Sequence, residues 1–303
     1  MKTIIITGGL GYVGTELIKI YPRNKYKIIV IDKIVDKEKI FFLKKSNVQF
    51  IKADIRDNKA MKKIVPGGDV LIHLAAITKV PIIHKENNKK IINDIKTTSI
   101  IGTRNIIKNA RKDSKIIFIS SHIIFEGLNK IKKNLIESDK LFPNLDYAKC
   151  KVINENDIIQ SGLNYIILRP GTAYGYTGDD QRMFNMPNLF AINSKRGVPI
   201  KLFNKGKQLK CIVGVHDIAR GIKFFHENNF SNQIYHFASE NYFVSEIALM
   251  CKKFRPKIKL IYSKNITPNK GYTLSVKKLL KTGFKFKYTY KKFLNSYLKN
   301  TKN

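Results

Sequence analysis

Acidic residues are scarce in this chain. Its 303 residues hold 22 Asp and Glu against 57 Lys and Arg, a formal net charge of +35, and only nine of the basic residues are Arg. A field of that sign attracts phosphate-bearing molecules, and a nucleic-acid surface is one reading of it. Phosphate and base contacts, however, favour clustered Arg. Here the charge is dispersed in lysine pairs, at Lys44-Lys45, Lys62-Lys63, Lys132-Lys133, Lys277-Lys278 and Lys291-Lys292, and no nucleic-acid motif accompanies it. Drift of solvated positions toward lysine is the simpler account, so a nucleic-acid partner is not expected. Cysteine is also sparse. Cys150, Cys211 and Cys251 are odd in number and far apart, which excludes a disulfide framework and a zinc set. No apolar run approaches the ~20 residues that cross a bilayer. The opening MKTIIITGG ends its apolar run after three isoleucines, too soon for a signal peptide. A cytoplasmic protein with no metal and no membrane partner is expected.

What the chain does have is a rhythm. Short Ile/Val-rich runs stand at 3–6, 27–31, 48–51, 70–74, 116–119 and 165–168. They are continuously apolar, the pattern of parallel strands buried on both faces. Amphipathic helical stretches lie between them, among them 12–20 and 97–110. The alternation predicts an α/β fold, a doubly wound parallel sheet of the Rossmann type. After Arg169-Pro170 the rhythm loosens and Gly, Pro and Asn increase. A dinucleotide-binding domain is therefore expected over 1–168, with roughly 198–236 returning to it. A smaller C-terminal substrate-binding lobe is expected over 169–197 and 237–303.

The first strand runs into Thr7-Gly8-Gly9-Leu10-Gly11-Tyr12-Val13-Gly14. Gly8, Gly11 and Gly14 stand in G-x-x-G-x-x-G spacing. A tight strand-to-helix turn needs residues without Cβ, and a pyrophosphate must approach bare backbone. The helix that opens there offers N–H groups to the phosphate charge. Asp32 closes the second strand, where a carboxylate accepts ribose hydroxyls and repels a 2′-phosphate. NAD is thus favoured over NADP, although Lys33 softens the preference. Asp54, after the third strand, either accepts from the adenine amine or caps the next helix.

Tyr147 and Lys151 lie four residues apart on a helix predicted over 146–159, which puts both on one face, about 5–6 Å apart at Cβ. A phenol titrates near pH ~10, and bringing it to neutrality asks for about 4 kcal/mol. A neighbouring ammonium and a cationic nicotinamide would both favour the phenolate. Ser120-Ser121 ends the fifth strand, at the carboxyl edge where open α/β sheets bind ligands. Either serine can hydrogen-bond a substrate oxygen or cap the following segment.

Together these stretches resemble the extended short-chain dehydrogenase/reductase family, the NAD-dependent epimerase/dehydratase group. Beyond TGGLGYVG and YAKCK, the similar segments are DIRD (54–57), HLAA (73–76), SSHIIFEG (120–127), LRPGTAYG (168–175) and VGVHDIARGI (213–222). The resemblance implies a catalytic triad of Ser121, Tyr147 and Lys151, with Ser120 as the adjacent alternative. It implies cofactor contacts at Gly8, Gly11, Tyr12, Val13, Asp32, Asp54, Ile55, Leu74, Ala75 and Ala76, with Tyr147 and Lys151 reaching the nicotinamide ribose side. It implies substrate contacts at Ser121, His122, Tyr174, Arg182, Asn188, Lys210 and Lys270. Lys210 and Lys270 replace arginines usual in the family, and a lysine binds phosphate without the bidentate fork. Ser99 replaces a usual Asn, and Cys150 a usual Ser or Thr. His122-Ile123 replaces the Asp-Glu pair of the sugar 4,6-dehydratases, which disfavours water elimination.

The activity implied is NAD-dependent epimerisation of a nucleotide-activated sugar through a transient keto sugar. Two alternatives stay open. SSHIIFEG is similar to the S-T-D-Y-V-F-D-G of the deoxysugar reductases, which points to NAD(P)H-dependent reduction of a keto-deoxysugar nucleotide. A dinucleotide- or RNA-binding protein with idle chemistry is the other, and the presence of Tyr147 argues against it. A homodimer through the helices at 90–110 and 146–159 is expected by the same resemblance.

Overall fold

Apolar runs with no polar alternation have to bury both faces, and the first half of the chain does so by stacking strands side by side. A computed structural model describes residues 1–22, 24–78, 89–178, 185–264 and 270–299. The strands β1 (Lys2–Thr7), β2 (Tyr26–Asp32), β3 (Gln49–Lys52), β4 (Val70–His73) and β5 (Lys115–Ile119) alternate with helices α1 (Tyr12–Ile20), α2 (Lys37–Lys45), α3 (Asn58–Ile64) and α4 (Lys89–Asn109). Between β5 and the next helix comes β6 (Lys132–Leu135). Then follow α5 (Asp146–Gln160), β7 (Asn164–Pro170) and β8 (Thr172–Tyr174). The second half carries α6 (Met186–Arg196), β9 (Ile200–Phe203), β10 (Leu209–Gly214), α7 (Val215–Glu227), β11 (Gln233–Phe237), β12 (Glu240–Phe243), α8 (Val244–Phe254), β13 (Leu260–Ser263), β14 (Tyr272–Leu274), α9 (Lys277–Leu280) and α10 (Tyr290–Lys299).

Seven strands form one sheet in the order β11-β7-β5-β4-β1-β2-β3. The pairings from β7 to β3 are parallel. The order reverses at β1, with β2 on one side and β4 on the other, the switch point at which a doubly wound sheet leaves a crevice for ligand. The rhythm of the sequence thus corresponds to a doubly wound α/β sheet. One side of it packs Ile5, Ile29, Ile31, Leu71, Ile116 and Phe118 against Ile55, Met61, Ile106 and Ile158.

The chain divides into two compact units. The first holds residues 1–124, 143–168 and 219–234, and the second holds 125–142, 169–218 and 235–303. Residues 125–142, read from sequence as part of the first domain, group with the second because β6 pairs in parallel with β14. Residues 198–218 group there too, since β9 pairs with β13, and β10 with β8 and β12. These are pairings between strands distant in sequence, which local pattern does not encode. Within the second unit two acids, the buried Asp217 and the half-buried Glu240, tie down backbone. Asp217 accepts from the amides of Lys287 and Tyr288 at 3.0–3.1 Å. Glu240 accepts from the Tyr290 amide and from the hydroxyls of Tyr174 and Tyr242 at 2.8–2.9 Å. No helix among the described residues is long and apolar enough to cross a membrane.

The glycine turn is where the first unit tolerates least change. A Cβ on Gly14 would stand 2.5 Å from the Gly9 carbonyl oxygen and 2.6 Å from its Cα. Backbone would have to yield, not a flexible side-chain tip. Gly14→Ala is expected to lower the unfolding free energy by about 1–3 kcal/mol. The check is a fall in the urea midpoint at unchanged slope; an unchanged midpoint contradicts the close approach.

Candidate active site

The turn between β1 and α1 brings the second half of each neighbouring loop close. Gly8 has φ +70°, and a Cβ there would meet Ala75 Cα and N at 2.7 Å. Its amide donates to the Ile31 carbonyl at 2.8 Å, and its carbonyl accepts from the Gly11 amide at 3.0 Å. The Leu74 amide donates to the Thr7 carbonyl at 3.1 Å, so the segment 74–76 lies beside the turn. Gly11 is the N-cap of α1, and the positive end of the helix, at Tyr12 and Val13, opens into the turn. Tyr12, Val13, Leu74, Ala75 and Ala76 are all half-buried.

Asp32 stands at the carboxyl end of β2. Its Oδ2 accepts from the Leu10 amide at 3.2 Å and its Oδ1 from the Ile34 amide at 3.0 Å. The carboxylate is thereby anchored to the glycine turn itself. Asp54 is different. Arg56 holds both of its oxygens, with Nε and Nη2 at 2.7–3.1 Å, and Arg56 reaches on to Asp94 at 3.1 Å. The alternative reading, that Asp54 caps the next helix, is corrected: Asp57 is the cap, accepting from the amides of Lys59 and Ala60. Ile55 is buried, and its carbonyl accepts from Asn105. The bare turn, the carboxylate one strand away and the helix end together fit a dinucleotide: pyrophosphate over Gly8–Val13 and ribose at Asp32.

Tyr147 and Lys151 lie on one face of α5, with the Lys151 Nζ 5.6 Å from the Tyr147 ring centre. The ammonium is turned toward the sheet. It donates to the Ile119 carbonyl at 2.6 Å and sits 4.4 Å over the Phe118 ring. Burial lowers Lys151 to about 7, with Glu155 and Cys150 opposing. Burial also pushes the Tyr147 phenol well above its ordinary value, and Cys150 adds to this. In the protein alone desolvation decides the direction and raises the phenol, contrary to what the four-residue spacing suggested. The half-buried Ser121 turns its Oγ to the Ile123 amide at 3.4 Å. The Ser120 hydroxyl is buried with no hydrogen-bond partner among the described residues, so it too could receive a ligand group.

The profile of the NAD dependent epimerase/dehydratase family matches residues 4–238. The chain belongs to that family. Its cofactor is NAD, and several relatives and structural neighbours are nucleotide-sugar enzymes. One relative is the UDP-N-acetyl-alpha-D-glucosaminuronate decarboxylase of Bacillus cytotoxicus, 27% identical over 79% of this chain and 76% of its own length. Another is a putative UDP-glucose 4-epimerase of Methanocaldococcus jannaschii, 28% identical over 72% of this chain and 71% of its own. Among solved structures, the UDP-glucose 4-epimerase of Thermotoga maritima with UDP-glucose superposes with a TM-score of 0.84. It has 21% identity and covers 98% of this chain and 97% of that one. The epimerase of Thermus thermophilus in complex with NAD gives 0.83, at 18% identity over 98% and 99%. At these identities the two structures establish the shared fold.

For this family member the second unit places the remaining expected residues unevenly. Tyr174 is 1% exposed and spends its hydroxyl on Glu240. The side chain expected to face substrate is thereby tied into the packing of its own unit. Asn188 is fully buried, with Oδ1 accepting from the Gly175 amide at 2.9 Å. Lys210 is ion-paired with Glu126 at 2.8 Å, both side chains being about 85% covered. Glu126 therefore competes for the charge that was read as a phosphate contact, a partner invisible in sequence because 84 residues separate the two. Lys270 is exposed. His122, in the first unit, is 4% exposed and packs. Arg182 lies outside the described residues.

A Lys that titrates near 7 when folded and near 10.5 when unfolded binds its proton more weakly in the native state. Below pH 7 the full cost of burying the ammonium is present. Between about 7 and 10.5 the folded protein sheds that proton first, so stability rises with pH. Lys151→Met is expected to show a smaller rise over that window in paired urea melts. Parallel profiles for the two proteins would contradict the burial of a titrating ammonium.

Proposed function

We propose that the chain is an NAD-dependent epimerase acting on a nucleotide-activated sugar through a transient keto sugar. The observation that carries the reading is Tyr147 and Lys151 on one face of α5, with the Lys151 ammonium tied to the end of the strand that bears Ser120-Ser121. Bound NAD supplies the hydride acceptor and, when oxidised, a positive charge near the phenol. Tyr147 takes the proton of the sugar hydroxyl as the carbon gives up its hydride, and later returns it after the keto sugar has presented its other face. Ser121 donates to the same oxygen and holds it through both half-reactions. Lys151 keeps a positive charge close to the phenol, which offsets the burial that otherwise raises it. Asp32 accepts from the adenosine ribose, which supports NAD over NADP. Lys270 offers a point charge to the diphosphate, and Lys210 does so after exchanging Glu126 for it.

His122-Ile123 supports epimerisation over dehydration, because neither side chain offers the acid and base that water elimination uses. A decarboxylase is the second reading, favoured by a relative that covers 79% of this chain. It shares the first half-reaction, since a ketone two bonds from a carboxylate suffices to release CO2. The one-way reductase reading consumes NADH stoichiometrically, whereas both of these are redox-neutral.

The experiment is incubation of the purified protein with UDP- and dTDP-linked hexoses and hexuronates, products read by NMR. Inversion at one carbon with no net change in NAD supports the epimerase. Loss of CO2, loss of water or consumption of NADH assigns one of the other reactions. Tyr147→Phe is expected to reduce whichever turnover is found by at least ~10²-fold, with the nucleotide sugar still bound. Full activity in that variant would remove Tyr147 from the mechanism.

A further inference from the structure

A continuous polar chain runs through the apolar interior of the first unit. The Ala75 amide donates to Thr7 Oγ1 at 3.3 Å. Thr7 Oγ1 lies 2.7 Å from His73 Nδ1, and His73 Nε2 lies 2.9 Å from Thr103 Oγ1. Asn154, with its amide turned to satisfy every neighbour, accepts from Thr103 Oγ1 at 3.2 Å. Its Nδ2 donates to the carbonyls of Ser99 and Cys150 at 3.2 and 3.3 Å. Thr7, His73, Thr103 and Asn154 are all at most 2% exposed. The chain begins in the loop beside the glycine turn and ends on the carbonyl of the residue before Lys151. A second arm leaves the same histidine. Its ring stacks on Phe118 at 5.5 Å and 29°, and Phe118 carries the Lys151 ammonium on its face.

Hydrogen-bond accounting leaves one arrangement that uses every group. Thr7 gives its proton to Nδ1, His73 gives Nε2–H to Thr103, and Thr103 gives its proton to Asn154 Oδ1. The opposite tautomer would take the Thr7 hydroxyl's acceptor away and leave Asn154 Oδ1 empty, because Thr103 would then give its proton to Nε2. The histidine must also stay neutral, because a charged imidazole would present a second N–H to a hydroxyl already donating. Burial and the Lys151 charge hold it near 3.

We infer that His73 is a positioning residue, in its neutral Nε2–H form, that couples the cofactor loop at Ala75 to the register of α5 and so to Tyr147 and Lys151. Apolar packing between α4 and α5 is non-directional and tolerates sliding. A satisfied buried hydrogen-bond chain is directional, and each member defines the next. Thr103 on α4 and Asn154 on α5 fix the two helices to one another, and His73 fixes both to the strand that leads into Leu74–Ala76. The inference rests on reading Tyr147 and Lys151 as the reacting pair.

Two measurements test it, one of which needs neither cofactor nor substrate. Long-range 1H–15N spectra of His-labelled protein, assigned against His73→Phe, are expected to show His73 neutral and protonated on Nε2 from pH 5 to 8. A protonated ring or the Nδ1–H form overturns the relay, whatever the fate of the proposed activity. The second is hydrogen exchange of the 146–160 peptide with and without NAD. NAD is expected to slow exchange there at least tenfold in the parent protein. Thr103→Val, of equal volume, is expected to bind NAD within about fivefold of the parent yet lose that slowing, and Thr103→Ser to regain it. Full slowing in Thr103→Val overturns the coupling. Should the valine variant fail to fold, the tautomer in the parent protein still decides the matter.

Discussion

The first unit is arranged around one expensive group, the ammonium of Lys151. It is 3% exposed, and in a low-dielectric interior an ionised side chain needs compensation or it loses its proton. Compensation comes from three directions: the Ile119 carbonyl, the face of Phe118 and the carboxylate of Glu155 one turn along α5. Even so, burial brings it to about 7. That poise explains why the surroundings are as they are. β5 must end where its last carbonyl faces α5. Phe118 must present its ring to the ammonium, and the histidine behind that ring must remain neutral, since a second buried cation would be repelled.

The glycine turn answers a different constraint. Gly8 and Gly14 are required by backbone approaching backbone, with Ala75 on one side and Gly9 on the other. The same closeness that excludes a Cβ brings the segment 74–76 against the start of α1 and hangs Asp32 on the Leu10 amide. A dinucleotide laid over this turn would meet groups already held in place by the fold, so ordering them costs little on binding.

Acids are few in this chain, and their placement shows what they are for. Asp217 and Glu240 hold backbone amides and phenols inside the second unit. Asp54 is held by Arg56, and Glu126 holds Lys210. Several carboxylates in a field of +35 are thus buried or paired, while lysines such as Lys270 take the solvent positions. The surplus lysine is therefore a property of the surface, and within the interior the balance of charge is local.

Much of the first unit was legible from the chain alone. The parallel strands, the glycine turn, Asp32 and the four-residue spacing of Tyr147 and Lys151 are local patterns, set by side-chain period and the steric demands of a tight turn. Nothing local could say that residues 125–142 join the second unit, because that follows from β6 meeting β14 some 140 residues later. Nor could it say that Tyr174 faces Glu240 or that Lys210 faces Glu126. Whether the Tyr147 phenol is eased or hindered was likewise a tertiary question. Spacing gives the distance to Lys151, but the sign of the shift depends on how much water the fold removes, and burial is a sum over the whole chain.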